Sequence, residues 1–231
     1  MNRTLLIKGI TVAMLASFLA TAAGAADGQK WKARVGLTNI DPKSNNGVVA
    51  AGALPAEPTG LATDVQDDTF VTFNGVYMID ENWGVELLAA LPFEHDVEAF
   101  GSNLGSLGEI GSTKHLPPTL SAQYYFNNTS SFTPYVGLGL NYTLFFNEKL
   151  TSTAAGLLSG QLGITVNDFS LDNSLGLAYQ IGVDYDINEK WLVNLDLRKI
   201  DIDADAEVNG IDIGTVKIDP TLIGVNVGYK F

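Results

Sequence analysis

The chain contains no cysteine, only two histidines, and 13 basic residues against 26 acidic ones. Without cysteine it can form neither disulfides nor a thiolate metal site. Its formal net charge of −13 argues against nucleic acid as a partner, because proteins that bind nucleic acid carry basic surfaces. It also lacks an apolar run of about 18 residues or more, so no transmembrane helix is predicted.

The N-terminus has the pattern of a secretory signal peptide. Arg3 and Lys8 lie around the start of an apolar stretch (9–20), which a run of small residues follows. That stretch is shorter than the roughly 20 residues that span a bilayer, which argues against a membrane anchor. We therefore predict that residues 1–26 are a cleaved signal peptide and that residues 27–231 form a single domain.

The end of the chain alternates in character with a period of two, which is the pattern of a β-strand. The apolar face consists of Thr221, Ile223, Val225, Val227, Tyr229 and Phe231. The other face consists mainly of small and polar residues: Leu222, Gly224, Asn226, Gly228 and Lys230. An apolar outside and a polar inside are typical of a transmembrane β-barrel strand. The terminal Phe231 fits the last strand of a bacterial outer-membrane protein, and we expect the barrel-assembly machinery to recognise this strand.

Alternating segments of this kind recur eight times along the chain. They span residues 31–40, 69–79, 83–93, 114–126, 132–146, 171–187, 191–203 and 214–231. Short connections alternate with long ones: the short ones are 80–82, 127–131 and 188–190, and the long ones are 41–68, 94–113, 147–170 and 204–213. This organisation predicts an all-β fold, an eight-stranded antiparallel transmembrane β-barrel with short periplasmic turns and long extracellular loops. A soluble lipocalin-like barrel is the competing fold, but it would place the apolar faces inside.

Several motifs resemble the OmpW family of bacterial outer-membrane proteins. They are K-H-L-P-P-T-L at 114–120 followed by S-A-Q-Y-Y-F, P-F-E-H-D at 92–96, P-Y-V-G-L-G-L-N-Y-T at 134–143, W-L-V-N-L-D-L-R-K-I at 191–200, and the ending I-G-V-N-V-G-Y-K-F. The resemblance implies a bacterial outer-membrane location and a narrow hydrophobic channel for uptake of small hydrophobic molecules. Some members of the family are colicin receptors. The long first loop, 41–68, departs from the family pattern, so receptor properties and substrate preference do not transfer.

The inward-facing positions change in character along the predicted barrel. Toward the short turns they include Lys32, Arg34, Glu86, Asp184, Asp186, Asp196, Arg198 and Lys230. Toward the long loops we predict an apolar lining of Val76, Leu88, Ala90 and Phe145. Eight strands enclose an interior just wide enough for side chains. The charges should therefore pair and form a periplasmic plug beneath an apolar funnel, because unpaired buried charge is costly.

Three prolines indicate a place where the wall could open. Pro92, Pro117 and Pro118 lie where the third and fourth segments should pair. Proline cannot donate a ladder hydrogen bond, so a local gap there would let an apolar molecule leave sideways into the membrane. The alternative is that these prolines only end strands beside a loop.

In the third long loop, residues 153–162 are predicted to form a short helix, which could cover the barrel mouth.

Other functions remain open on the sequence alone. His95 and His115 could bind a metal ion, and Ser112 or Ser121 with His115 could be proposed as an enzymatic pair, but neither serine lies in a nucleophile motif. We expect no metal, no cofactor and no enzymatic activity.

Four acidic residues could share divalent cations with lipopolysaccharide or form a solvated rim: Asp201, Asp203, Asp205 and Glu207. The expected partners are outer-membrane lipid, lipopolysaccharide and small hydrophobic ligands, and a structural or receptor barrel without transport is the alternative.

Overall fold

The computed structural model describes residues 30–42, 61–65, 67–90, 93–101, 105–163 and 165–231, so the predicted signal peptide lies outside the described residues. Within these ranges the elements are β1 (Trp31–Asp41), β2 (Leu61–Val65), β3 (Asp68–Met78), β4 (Trp83–Ala90), β5 (Phe93–Gly101), β6 (Gly105–Leu116), β7 (Thr119–Tyr125), β8 (Phe132–Leu150), α1 (Ser152–Leu162), β9 (Phe169–Leu171), β10 (Ser174–Asp186), β11 (Trp191–Ile200), β12 (Asp203–Val208), β13 (Ile211–Lys217) and β14 (Thr221–Lys230). None of the described residues forms a helix that is long and apolar enough to cross a membrane.

Eight strands close into an antiparallel barrel, which confirms the predicted fold. Their order around the barrel is β10-β11-β14-β1-β3-β4-β7-β8, and pairing of β10 with β8 completes the ring. The first and last barrel strands therefore lie side by side, and Val35 of β1 pairs with Val227 of β14. Closure leaves no free edge within this ring, so the backbone polar groups of the wall can bond to one another, as a hydrocarbon environment requires.

The pairing register tilts the strands. Partners followed from Gly176 on β10 through all eight strands lead back to Asp186 on the same strand, a stagger of ten residues. With roughly 3.3 Å per residue along a strand and about 4.8 Å between strands, this stagger tilts the strands by roughly 40°. A barrel of this strand number has an interior that side chains can fill.

The two faces of the wall have opposite character. On β8, Val136, Leu138 and Leu140 are 43%, 56% and 55% exposed, whereas Gly139, between the last two, and Asn141, directly after Leu140, are buried. The same pattern on β10 leaves Ile181 exposed and buries Gln180. The apolar side chains therefore point outward, so the lipocalin-like alternative, which requires them inside, is wrong.

Aromatic rings and three short turns mark one end of the barrel, which we call the short-turn end. The ring pairs there are Trp31–Tyr77, Trp83–Tyr124, Phe132–Tyr185, Trp191–Tyr229 and Tyr229–Phe231, with centroids 4.7–5.1 Å apart. Two of the turns share one design. The Asp80 carboxylate accepts from the backbone N–H groups of Asn82 and Trp83, and the Asn188 side chain accepts from those of Lys190 and Trp191, at 2.7–2.9 Å.

The long connections contain more regular structure than we predicted. β6, β5 and β2 extend the sheet from β8, while β13, β12 and β9 form a separate three-stranded sheet. The predicted segment 114–126 is divided into β6 and β7 at Pro117 and Pro118, because prolines lack the N–H that would continue the ladder. The predicted segments 171–187 and 214–231 likewise include β9 and β13 of the separate sheet.

Helix α1 forms where the sequence predicts it, over Ser152–Leu162. The side chain of Thr151 accepts from the Ala154 N–H at its start, and Gly163 ends it in the left-handed conformation, with φ of 67°. The helix contacts β6 and β8. The side chains of Leu157, Leu158 and Leu162 lie outside the described part, so a role in covering the mouth stays a prediction.

Candidate functional site in the barrel lumen

Large inward side chains fill the lumen because glycines on neighbouring strands make room for them. A Cβ atom on Gly182 would lie 2.4 Å from the ring of Tyr135, and one on Gly228 would lie 2.7 Å from the side chain of Leu192. Tyr135 and Leu192 are buried. The small residues on the inward face therefore do not leave an open pore at these two positions, since larger neighbours cover them.

An ion cluster occupies the lumen toward the short-turn end. Arg34 Nη2 donates to both carboxylate oxygens of Asp184, at 2.8 and 2.9 Å, while Lys32 Nζ lies 3.0 Å from the same carboxylate. Arg34 Nη1 also lies 3.4 Å from Glu86. The side chains of Arg34 and Glu86 are both 0% exposed, so these contacts lie in the barrel interior and not at its rim.

A second arginine joins the cluster from β11. Arg198 Nη2 donates to Glu86 at 2.6 Å and lies 3.3 Å from Asp196. β11 and β4 are four strands apart in the ring, so this contact crosses the lumen. We define the lumen network by its six charged residues, which belong to four strands: Lys32, Arg34, Glu86, Asp184, Asp196 and Arg198.

Neutral side chains, which the sequence reasoning missed, connect the charged ones. Gln123 Nε2 donates to Glu86 at 2.7 Å, and Gln180 Nε2 donates to Asp196 at 2.6 Å. The hydroxyl of Tyr135 donates to Asp196 at 2.9 Å, and Asn194 donates to Asp184 at 2.9 Å. These residues occupy inward-facing positions in the period-two pattern of their strands, and this position in the sequence could have identified them. Long polar side chains in a narrow lumen must bond to the charges they meet.

The formal charges of the lumen network cancel, with three cationic and three anionic side chains. Lys230 lies apart from it and pairs with Asp186 at 2.6 Å, where both side chains are partly exposed. The structure thus brings six of the eight charged residues predicted near the short turns into one network and places the other two, Asp186 and Lys230, in a separate ion pair. Whether the network blocks passage is a functional matter, and the role of plug stays a prediction.

The predicted apolar lining divides between two levels of the lumen. Ala90 and Phe145 belong to a buried group that we call the upper apolar cluster: Ile40, Ala90, Phe145, Ala178, Ile200, Ile202, Ala204 and Leu222. Leu88 is also buried and pairs with Thr119 across the β4–β7 ladder. Val76 does not lie near the long loops, where we predicted it. It packs with Tyr125 and Tyr135 and pairs with Lys32 and Glu86. It lies two residues from the end of β3 at Met78, and therefore at the level of the lumen network.

Among the described residues, no ladder pair joins Pro117 or Pro118 to β4 or β5, and we call this break the ladder interruption. The β4–β7 ladder ends with Leu88 and Thr119, and the β5–β6 ladder begins with Phe93 and His115. Pro117 and Pro118 occupy the interval in the described chain, whereas Pro92 lies outside the described residues.

On the other side of the prolines the wall is held closed by β8. Asn141 Nδ2 donates to the carbonyls of Pro117 and Pro118 at 3.2 and 3.3 Å, and the Tyr142 N–H donates to Pro118 at 3.0 Å. The ladder interruption therefore concerns only the β4–β5 side.

In the described part of the chain, the serine candidate Ser121 is separated from His115 by the two prolines. His115 is buried, with its ring 5.9 Å from that of Phe145. Ser121 lies beyond the prolines, where it pairs with Glu86, and Ser112 pairs with Asp96 and Lys149. The His95 side chain lies outside the described part. No group of three or more metal-binding side chains is found in the described residues.

The predicted acidic rim is partly engaged with neighbouring side chains. Asp203 lies 3.6 Å from Lys217, and the Thr215 hydroxyl donates to Asp205 at 2.6 Å. These contacts occur along the β12–β13 pair, where Asp203 and Asp205 are exposed. Sharing of divalent ions with lipopolysaccharide stays a prediction.

An apolar exterior, an aromatic girdle and a polar interior define a transmembrane β-barrel. The sequence pattern of the OmpW family matches residues 28–231, and the chain belongs to this family. Outer membrane protein W of Vibrio cholerae serotype O1 is 40% identical over 193 residues, covering 78% of this chain and 85% of the relative. The crystal structure of outer membrane protein OprG from Pseudomonas aeruginosa has a TM-score of 0.70 and 34% identity, covering 87% of this chain and 95% of that one. The protein is located in the bacterial outer membrane, among its lipid and lipopolysaccharide.

A more distant relative is the dibenzothiophene metabolism operon protein PahQ of Pseudomonas aeruginosa. It is 26% identical over 212 residues, covering 89% of this chain and 90% of the relative. The similarity therefore extends over nearly the whole of both chains.

Proposed function

We propose that the protein takes up small hydrophobic molecules from outside the cell and releases them sideways into the outer membrane. The observation that carries this proposal is the lumen network, which fills the path toward the periplasm with paired, buried charges. An apolar molecule would enter at the long-loop end, where it meets the upper apolar cluster. Removal from water favours it by about 25 cal/mol per Å² of apolar area.

The axial route through the network is unfavourable for such a molecule. Passage would separate Arg34 from Asp184 and Arg198 from Glu86, which are nearly inaccessible to solvent. Breaking a buried ion pair costs about 3–5 kcal/mol, and an apolar molecule offers no replacement partner. The lateral route requires no such separation.

The ladder interruption at Pro117 and Pro118 supports an exit in the wall. Neither proline can donate a hydrogen bond toward β4 or β5, so no such bond need break for these strands to part there. Leu88 and Ala90 lie on the neighbouring strand and offer an apolar inner surface beside the interruption. The name of the relative PahQ links it to the metabolism of dibenzothiophene, an apolar aromatic compound. That link favours an apolar substrate for this chain as well.

Substitution of both prolines tests the lateral route. The variant Pro117→Val/Pro118→Val restores two backbone donors, and we expect uptake of naphthalene into cells to fall several-fold. Pro134→Val is the matched control, because Pro134 lies on β8 near the short-turn end, where it pairs with Val183. Heat-modified mobility on gels checks that each variant folds. Unchanged uptake by the folded double variant would refute the lateral exit.

The same measurement separates transport from a structural or receptor role. If wild-type cells and cells lacking the protein take up naphthalene equally, the protein is a barrel without transport, and a receptor role takes its place. We also propose that the protein has no catalytic activity, because it belongs to a family of outer-membrane barrels and because Ser121 lies beyond the prolines from His115. Phospholipid hydrolysis by purified protein that is lost in His115→Ala would contradict this.

A further inference from the structure

Buried polar atoms without partners lie next to the lumen network, on its side toward the long loops. Among the described residues, the buried side-chain atoms without a hydrogen-bond partner include Asn74 Oδ1, Ser121 Oγ and Arg198 Nη1. Arg34 Nε and Asn226 Oδ1, which also belong to inward side chains, are two others. Asn74, Ser121 and Arg198 are 4%, 2% and 2% exposed, so bulk water does not reach them freely. Leaving such a group unpaired costs about 1–3 kcal/mol, and such groups in folded proteins normally have partners.

The register brings these atoms to one region of the lumen. Asn74 pairs with Leu88 of β4, and Ser121 pairs with Glu86, two residues away on the same strand. Arg198 reaches β4 from across the barrel, since its Nη2 donates to Glu86. By register, these three residues therefore lie around the section of β4 between the lumen network and the upper apolar cluster, with the Ser121 hydroxyl on the β8 side, next to Gly139.

We propose that these three residues form a seat for a neutral hydroxyl group at the end of an otherwise apolar molecule. A hydroxyl both accepts and donates, so it can accept from Arg198 Nη1 and donate to Asn74 or Ser121. This inference rests on the proposed function and narrows its substrate class. The apolar part of the molecule would lie against Leu88 and the upper apolar cluster.

The charge balance of the lumen network excludes an ionised head group. Its three cationic and three anionic side chains already neutralise one another. A carboxylate would add a charge without a counter-ion in a poorly hydrated interior, which is costly. A plain hydrocarbon would leave all three polar atoms unpaired. An alcohol avoids the charge penalty and gives partners to at least two of the three atoms.

The polar inner wall beside the ladder interruption agrees with this substrate class. Thr119 and Asn141 are buried there, and Asn141 donates to the Thr119 hydroxyl at 3.0 Å. The Thr143 hydroxyl donates to Asn141 at 2.7 Å. A molecule that leaves past these groups with its own hydroxyl can exchange hydrogen bonds with them, whereas a hydrocarbon cannot.

Uptake of octane, 1-octanol and octanoate tests the seat, with the rate in cells lacking the protein subtracted for each compound. We expect 1-octanol to exceed both others by about tenfold, the order of effect of one well-placed hydrogen bond. In Asn74→Leu/Ser121→Ala the ratio of octanol to octane should fall toward one. The matched control is Thr38→Val/Thr72→Val, which removes two lumen hydroxyls that bond to each other at 2.8 Å and should keep the ratio.

The outcomes distinguish this inference from the proposed function. If wild type takes up octane and octanol equally above background, the seat is wrong and hydrophobic uptake stands. If neither compound exceeds background, uptake itself is wrong. If Asn74→Leu/Ser121→Ala folds by heat-modified mobility and keeps the wild-type ratio, these atoms bind only water and the seat is refuted. If that variant does not fold, the single variant Ser121→Ala, which removes one oxygen, decides in the same way.

Discussion

At the scale of single residues, Glu86 gathers more hydrogen bonds than any other carboxylate that we described in the lumen network. Its two oxygens accept from Arg34, Gln123, Gln180 and Arg198, at 2.6–3.4 Å. Two of these donors are cationic and two are neutral amides. Removal of the negative charge would therefore leave two buried guanidinium groups with one counter-ion fewer between them.

We expect Glu86→Gln to destabilise the barrel by about 3–5 kcal/mol, because it breaks a buried charge pair and keeps the opposing charges in place. The midpoint of urea unfolding in detergent micelles, followed by tryptophan fluorescence, measures this loss. Glu81→Gln in the exposed turn after β3 should shift the midpoint little. In a double-mutant cycle, Glu86→Gln/Arg198→Gln should cost less than the sum of its single variants. Simple additivity would show that the two side chains are not coupled.

At the scale of elements, the short turns have a local origin that can be tested directly. Asp80 and Asn188 each accept from two backbone N–H groups of the turn that follows, in I-D-E-N-W and I-N-E-K-W. A short side-chain acceptor at the first turn position compensates donors that the ladder cannot reach. The same arrangement at two turns with similar sequences indicates that the turn residues themselves determine the local geometry.

We expect Asp80→Ala and Asn188→Ala each to lower stability by about 1 kcal/mol, since each removes the acceptor of two backbone donors. Glu189→Ala, next to Asn188, removes an exposed side chain that is not the acceptor of these two turn bonds and serves as the control. Urea unfolding in micelles gives the comparison. Equal midpoints for all three variants would mean that the turn bonds add nothing to stability.

The barrel strands were predictable because one face of each strand meets lipid and the other faces the polar lumen. Apolar and polar residues therefore alternate along the strand with a period of two. The regions beyond the membrane carry no such constraint on both faces. We therefore assigned most of β2, β5 and β12 to loops, and we joined most of β13 to the last barrel strand. The charged lumen residues were found from their inward parity. Val76 was placed too high, because parity gives the face but not the height, which requires the ten-residue stagger.

At the scale of the whole molecule, the chain before β1 and the last strand concern delivery to the membrane. We propose that residues 1–26 are removed on export and that the strand ending at Phe231 is recognised during assembly. Neither event depends on the lumen. Both occur before or during closure of the barrel. Export determines the N-terminus of the protein in the outer-membrane fraction, and assembly determines how much protein is found there.

Mass spectrometry of that fraction tests both ideas. We expect the mature chain to begin at Ala26 or Asp27, and a chain that still begins at Met1 would contradict cleavage. The variant Phe231→Ala should be depleted from the same fraction relative to wild type. Leu177→Ala on the outward face of β10 is the control, because it also removes an exposed apolar side chain. Equal depletion of both variants would mean that the terminal aromatic has no special part.

The lumen network is divided between the two halves of the chain. Lys32, Arg34 and Glu86 come from early strands and leave one positive charge in excess, while Asp184, Asp196 and Arg198 come from late strands and leave one negative charge in excess. Neither half is electrically complete alone. A half-made barrel would expose unmatched ions to lipid, and only the joining of β10 and β11 to the earlier strands cancels them. The lumen of the closed barrel is therefore electrically neutral, whereas the lumen charges of the early strands or of the late strands alone are not balanced.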